Sequence, residues 1–507
     1  MTLTLIYAVP ALAAPFAWIA GRRSPRAASW ISLAASSAVV VLALAAWLGA
    51  AGGRIPFTID ERAAWVAPFG ISYHLGMDGL SLLLVLLTGL LGAIASAASW
   101  HQVHERAGAF HGSLLLLLAG IAGVFLALDL FLFYFFWELM LVPMYFLIGL
   151  WGYGDRVKAA IKFFVFTFLG GLFMLAAILG IAIAHWRATG ALTFDLPELI
   201  GTPLPPGLAF GLMLGFFVGL AVKLPAVPIH SWLPDAHTQA PTAGSVILAG
   251  IMLKTGGYGF LRFLVPLFPD AAAQFAPVAM ALGVAGILYG ALLSYPQSDL
   301  KRLVAYTSVS HLGFVLLGVF AGTPLALRGA VMEMIAHGLS TGALFVVAGI
   351  VQERCGTRDF SRLGGLWTVA PRLGGFSLFF ALASLGLPGL ANFVAELLVL
   401  LGTFQVSPLA AALGTLGFVV SVIYSLRLVH AAFFGPNREG WKIPDLGARE
   451  VAMLGVLAAL LIWLGLHPAP VLRASGEPVD AVGRMLRGGG EPATIWRVEA
   501  EAGEEGR

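Results

Sequence analysis

Long apolar runs recur along this chain at a spacing that leaves little room for a soluble fold. They lie near 2–20, 29–50, 78–98, 111–128, 130–151, 162–185, 207–229, 240–262, 277–295, 303–320, 328–351, 374–404, 408–430 and 450–466. About 20 residues of helix cross the hydrocarbon core of a bilayer, so the sequence predicts about fourteen transmembrane helices. The expected fold class is an all-α polytopic membrane protein. Hydrophobic residues make up 59 % and charged residues 11 %, which excludes a soluble domain and a disordered chain. A net charge of +3, without a basic run or a glycine-rich phosphate loop, gives no sign of nucleic-acid binding.

No Lys or Arg precedes the first run, whereas Arg22, Arg23 and Arg26 follow it. A secretory signal has the reverse order, so residues 2–20 are expected to remain as a helix with its N-terminus outside. Counting onward, the loops expected in the cytoplasm hold Arg106, Arg156, Lys158, Lys301, Arg302, Arg354, Arg358, Arg362, Arg372, Arg438, Lys442 and Arg449. The opposite loops hold Arg54, Arg62 and Arg187, with Arg262 and Arg328 at span edges. That asymmetry supports the count and places both termini on the periplasmic side. Cys355 is the single cysteine, expected as a reduced thiol in a loop. No internal disulfide, cysteine-ligated iron–sulfur centre or CxxCH haem site can form within the chain, and no cofactor is expected in it.

Two runs are interrupted in the same manner. Pro225 and Pro228 break GFFVGLAVKLPAVPIHSWLPDAH, and Gly386, Pro388 and Gly389 break ASLGLPGLANFVAELLVL. Proline removes a backbone hydrogen bond, so such helices persist in lipid only where neighbours or water satisfy the freed carbonyls. Paired broken helices point to an inverted-repeat transporter. The second break follows the first by five spans, an odd offset that gives the two opposite orientations. The expected organisation is three helices in 1–100, a five-helix repeat in 101–263, a second in 277–430, and the last loop, final helix and polar tail in 431–507.

Four charges sit deep inside these runs: Glu138, Lys223, Lys254 and Glu396. A charge near the bilayer centre costs roughly 2.5–3.5 kcal/mol on insertion scales, and such residues usually mark ion or proton paths. The structural alternative is snorkelling or helix locking, but Glu138 and Lys254 lie too far from either end of their runs to snorkel easily. Histidines form a second tier. His230 and His237 flank SWLPD, His311 follows TSVS, and His337 lies one helical turn after Glu333, where an i,i+4 pair could form. Imidazole donates, accepts and titrates near neutrality, so it suits a relay, although a buried histidine is often only a satisfied hydrogen-bonding group. The chain has neither an HExxH motif nor a Cys/His cluster, so zinc binding is not expected.

The segments FFWELMLVPMYFLIG, HSWLPDAHTQAPTAGSVILAGIMLKTGGYG, DLKRLVAYTSVSHLGF and GLPGLANFVAELL resemble the antiporter-like membrane subunits of respiratory complex I. The likeness is to the chain M (NADH dehydrogenase subunit 4) family and runs from about His74 to Arg438. The L-type and N-type sister chains and the multisubunit sodium/proton antiporters share the HSWLPDAH-type segment. They generally carry lysine where this chain has Glu396. The resemblance implies a proton-translocating subunit of an NADH:quinone oxidoreductase with its redox centres on other chains. Its partners would be the L-type and N-type chains of the membrane arm. It implies that Glu138 pairs with Lys223, that Lys254 is the central lysine, and that Glu396 is the terminal acid of the exit half-channel. His230, His311 and His337 would join these stations. Glu333 departs from the uncharged polar residue expected at its position, which would alter titration along this path. Other readings are a subunit of a multisubunit sodium/proton antiporter or membrane-bound hydrogenase, or a passive scaffold of the membrane arm. In the tail, Val479, Val482 and Leu486 recur at helical spacing, so this segment is expected to lie along a membrane face and contact a neighbouring subunit. The final EAEAGEEGR has too little apolar surface to fold.

Overall fold

The computed structural model describes residues 2–55 and 57–488. Among these, thirteen helices are long and apolar enough to cross a membrane. The remaining apolar run is divided into Pro371–Ser384 and Ala391–Phe404, so about fourteen crossings is the right count. Several helix starts follow from capping chemistry. Ser24, Asp78 and Thr323 each accept a hydrogen bond from a first-turn amide of the helix they precede. The helix Arg156–Thr189, expected over 162–185, has 34 residues. At 1.5 Å per residue it is roughly 50 Å long, so both ends project beyond an apolar layer about 30 Å thick.

Between the second and third helices lies a feature the apolar pattern did not announce. Ile59–Val66 and Ile71–Met77 form an antiparallel hairpin with Ile59 opposite Met77 and Arg62 opposite His74. Gly70 makes its turn with φ at 67°, and a side chain there would meet the Leu192 carbonyl. Polar contacts anchor the hairpin. Glu61 accepts from the Leu3 and Thr4 amides, and Arg62 reaches Asp195 at 2.9 Å and Glu198 at 2.6 Å.

Both interruptions appear where the sequence places them. Pro206–Lys223 ends before Pro225, and the chain resumes helix at Trp232–Gln239. The Trp232 indole donates to the Val222 carbonyl at 3.0 Å, so a neighbouring side chain serves a carbonyl at the break. At the second break Gly386 and Gly389 take φ of 77° and 93°, which L side chains rarely adopt. The helix Thr242–Leu267 spans the fold with two wide π turns, Leu248–Met252 and Phe260–Leu264. This helix, Leu300–Ala321 and Pro324–Cys355 are buried almost throughout. Their polar side chains therefore face one another, not lipid.

Several expectations change here. Cys355 is not in a loop: it is the buried last residue of the helix Pro324–Cys355. Arg262, taken as a span-edge charge, is buried against Asp78 at 2.6 Å. The tail helix Gly476–Leu486 buries Val479, Val482 and Met485, which line one small cavity with this chain's own Leu80, Leu261 and Pro266. The segment EAEAGEEGR lies outside the described residues.

Candidate functional site

Lys254 stands in the buried region, two residues after the end of a π turn. A π turn widens the backbone, and the Lys254 ammonium curls back to donate to the Ala249 carbonyl in that turn. It also lies 2.6 Å from His337 Nδ1 on the facing helix. The His337 ring stands 5.5 Å from that of His311, centroid to centroid. His311 Nδ1 in turn lies 2.8 Å from Glu396 Oε1 and 3.5 Å from Glu333 Oε1. Its Nε2 lies 3.1 Å from Ser384 Oγ and 3.5 Å from the Tyr424 hydroxyl. Lys254, His337, His311, Glu333 and Glu396 are all buried. Five sequence-selected residues from four helical segments thus form one continuous row: ammonium, imidazole, imidazole, paired carboxyls.

This arrangement corrects the expected Glu333–His337 pair. Although they are one turn apart, His337 Nδ1 is taken by Lys254, and both Glu333 oxygens lack a hydrogen-bond partner. Glu333 faces His311 instead. Two carboxyls this close in a low-dielectric site cannot both hold a negative charge without a proton or a cation between them. His311, Glu333 and Glu396 each offer a ligand atom, all within 4.8 Å of one another. A metal-competent cluster therefore exists despite the lack of a local motif, because its members are 22 and 63 residues apart in sequence.

The first half of the expected path is less tightly joined. Lys223 ends the helix Pro206–Lys223, where the helix dipole favours a cation. It is buried, its ammonium has no hydrogen-bond partner, and it lies 5.0 Å from the Trp137 ring centroid. Glu138 is half-buried on the helix Leu130–Leu139 and makes no ion-pair contact with Lys223; its Oε1 lies over Gly171. The expected pair thus stands without a salt bridge, with the Trp137 ring beside the Lys223 ammonium. His230 is buried at the first break, edge-on to Tyr289 at 5.4 Å, and joins neither lysine by a hydrogen bond. His237 stacks on Phe345 at 4.7 Å with both ring nitrogens unpartnered.

Some members of the site escaped the sequence reading. Ser384 and Tyr424 carry no charge to mark them within apolar helices, and Lys301 looked like a loop cation. Its side chain is fully buried.

Broken and unbroken helices around a buried row of bases and acids define a class, the polytopic membrane protein with an internal titratable axis. The sequence profile of the family described as NADH:quinone oxidoreductase/Mrp antiporter, TM, matches residues 127–423. NADH-quinone oxidoreductase subunit M of Pseudomonas aeruginosa is 51 % identical over 499 residues, covering 96 % of this chain and 98 % of that one. Subunit M of Escherichia coli is 48 % identical over 496 residues, covering 95 % and 97 %. A chain of respiratory complex I from Thermus thermophilus, 33 % identical, superimposes with a TM-score of 0.87 over 96 % of this chain and 100 % of that one. The chain belongs to the NADH:quinone oxidoreductase/Mrp antiporter membrane family.

Proposed function

We propose that the row from Lys254 to Glu396 carries protons across the membrane as part of an NADH:quinone oxidoreductase. The chain is a proton-translocating membrane subunit of that complex, and the translocase activity belongs to the assembly. The observation that carries the assignment of residues is the buried row Lys254–His337–His311–Glu396, in polar contact at both ends and joined in the middle by imidazole rings 5.5 Å apart. A scaffold has no need of it, and each intramembrane charge would be a cost without a return.

The mechanism follows from the two halves. Glu138, half-buried on the flank, stabilises the Lys223 ammonium from a distance, and loss or displacement of its charge lets Lys223 release a proton. The proton passes by water and Lys254 to His337 and His311, and is held between Glu333 and Glu396 before exit. His230 lines the break beside Lys223. The membrane potential opposes each charge moved by about 2.3 kcal/mol per 100 mV. We place the electron carriers, and so the driving reaction, on other chains. An L-type and an N-type subunit are the neighbours we assign, with 101–263 and 277–430 as the inverted repeats. An even number of crossings puts both termini on one side, and the distribution of Arg and Lys favours the periplasmic side of the inner membrane.

Lys223→Ala and Glu138→Gln in the whole complex test the scheme. Fewer protons pumped per NADH oxidised in membrane vesicles is the expected result. Wild-type ratios in both would refute it.

A further inference from the structure

Lys301 stands in the first turn of the helix Leu300–Ala321, and its ammonium donates to the Ala240 carbonyl at 2.5 Å. Asp299, two residues before it, is engaged elsewhere, with the Arg302 amide at 3.0 Å and Arg358 Nε at 3.0 Å. An ammonium buried without a contacting carboxylate is costly, and a neutral donor would satisfy one carbonyl equally well. The charge therefore calls for a use.

The surroundings supply one. Ala240 closes the helix Trp232–Gln239, whose last turn carries His237. His237 lies three residues before the carbonyl that Lys301 binds, and neither of its ring nitrogens has a hydrogen-bond partner. Phe345, on which His237 stacks, lies eight residues beyond His337 on the helix Pro324–Cys355. That is about 12 Å along the axis at 1.5 Å per residue. Ser340 and Thr341, in the interval, are buried hydroxyls with no partner. On its other side Lys301 is separated from the surface by Tyr153. The half-exposed Tyr153 ring lies 5.5 Å from its ammonium and 5.7 Å from Arg358, and the Tyr153 amide binds the Gln239 carbonyl at 2.7 Å. Burial pushes the Tyr153 phenol above its ordinary range, so it stays neutral and free to donate or accept.

We propose that Lys301 is an entrance through which protons reach Lys254 from the face of the molecule carrying Tyr153 and Arg358. It rests on the proton-translocation reading above. In each passage one N–H bond of the Lys301 ammonium breaks, and the proton moves to a ring nitrogen of His237, directly or through water. The imidazolium passes a proton by way of Ser340 and Thr341 toward His337 and Lys254. The Lys301 amine then takes a replacement from water beneath Tyr153. No electron moves.

Arginine separates this role from a structural one, because it keeps the charge and the hydrogen bond to Ala240 yet does not release its proton. The test measures protons pumped per NADH oxidised by proteoliposomes holding the whole complex with Lys301→Arg, with Lys254→Met as reference. The expected result is an assembled Lys301→Arg complex whose ratio falls to that of Lys254→Met. His237→Phe, which keeps a ring on Phe345 but carries no proton, is expected to give the same loss and covers the case in which arginine does not fit. A wild-type ratio in Lys301→Arg or His237→Phe, beside an impaired Lys254→Met, overturns the entrance alone. A wild-type ratio in Lys254→Met overturns the translocation reading with it.

Discussion

Gly171 keeps Glu138 in place by being small. It lies on the helix Arg156–Thr189, and a methyl group at its Cβ would stand 2.3 Å from Glu138 Oε1. A carbon and an oxygen pack no closer than about 3.3 Å without strain, so Gly171→Ala forces the carboxylate to retreat by about 1 Å. The obstacle is the flexible end of a side chain, so the helix itself loses nothing. Alanine in a helix interior stabilises by roughly 0.5–1 kcal/mol relative to glycine. A misplacement of about 1 Å at a reacting group can cost on the order of 10²-fold in rate. The expected variant is thus a complex that assembles at least as well as wild type and moves fewer protons per NADH. Pumping in proteoliposomes, measured beside assembly on native gels, reads both. Normal assembly with a wild-type proton yield would refute the claim that the position of Glu138 matters.

Three further outcomes follow from other parts of the structure. At Glu396, which must titrate next to His311, Gln is expected to impair pumping more than Asp, since only Asp keeps a carboxyl; equal wild-type turnover in both would make the residue structural. Truncation after His467 removes Val479, Val482 and Met485 from their pocket against Leu80 and Leu261. At about 1.5–3 kcal/mol per buried side chain, this is expected to lower the yield of assembled complex, and a truncated chain that assembled normally yet failed to pump would contradict that reading. Outside the membrane, burial pushes Asp445 upward, but the amides of Arg372, Leu446 and Leu373 outweigh it and hold its carboxyl below the usual carboxylate range. Its stabilising effect is therefore complete above the ordinary carboxylate value and lost as pH falls through the lowered one. Hydrogen exchange at the Arg372 and Leu373 amides should accelerate across that acidic interval, and Asp445→Asn should abolish the pH dependence; an unchanged profile in the variant would exclude Asp445 as its source.

The membrane architecture was legible because its physics is one-dimensional. Run length sets the crossings, and Pro225, Pro228, Gly386, Pro388 and Gly389 mark the breaks wherever the chain is cut. The charges within those runs were legible for the same reason. Relations across helices were not. The i,i+4 rule suggested Glu333 with His337, but Lys254 on another helix competes better for the imidazole. Lys301 sits in a charged stretch with Asp299 and Arg302, which reads as a loop, and only packing against Ala240 and Tyr153 buries it. The hairpin Ile59–Met77 escaped because its anchors, Leu3 and Thr4 on one side and Asp195 and Glu198 on the other, are distant in sequence and leave no local periodicity.

His337 is the link on which the row depends, since it alone touches Lys254 on one side and faces His311 on the other. The most direct measurement is the proton-to-NADH ratio of proteoliposomes holding the whole complex with His337→Phe, which fills the same space and carries no proton. The ratio is expected to drop to that of Lys254→Met. A wild-type ratio would show that protons do not travel from Lys254 to Glu396 by this route.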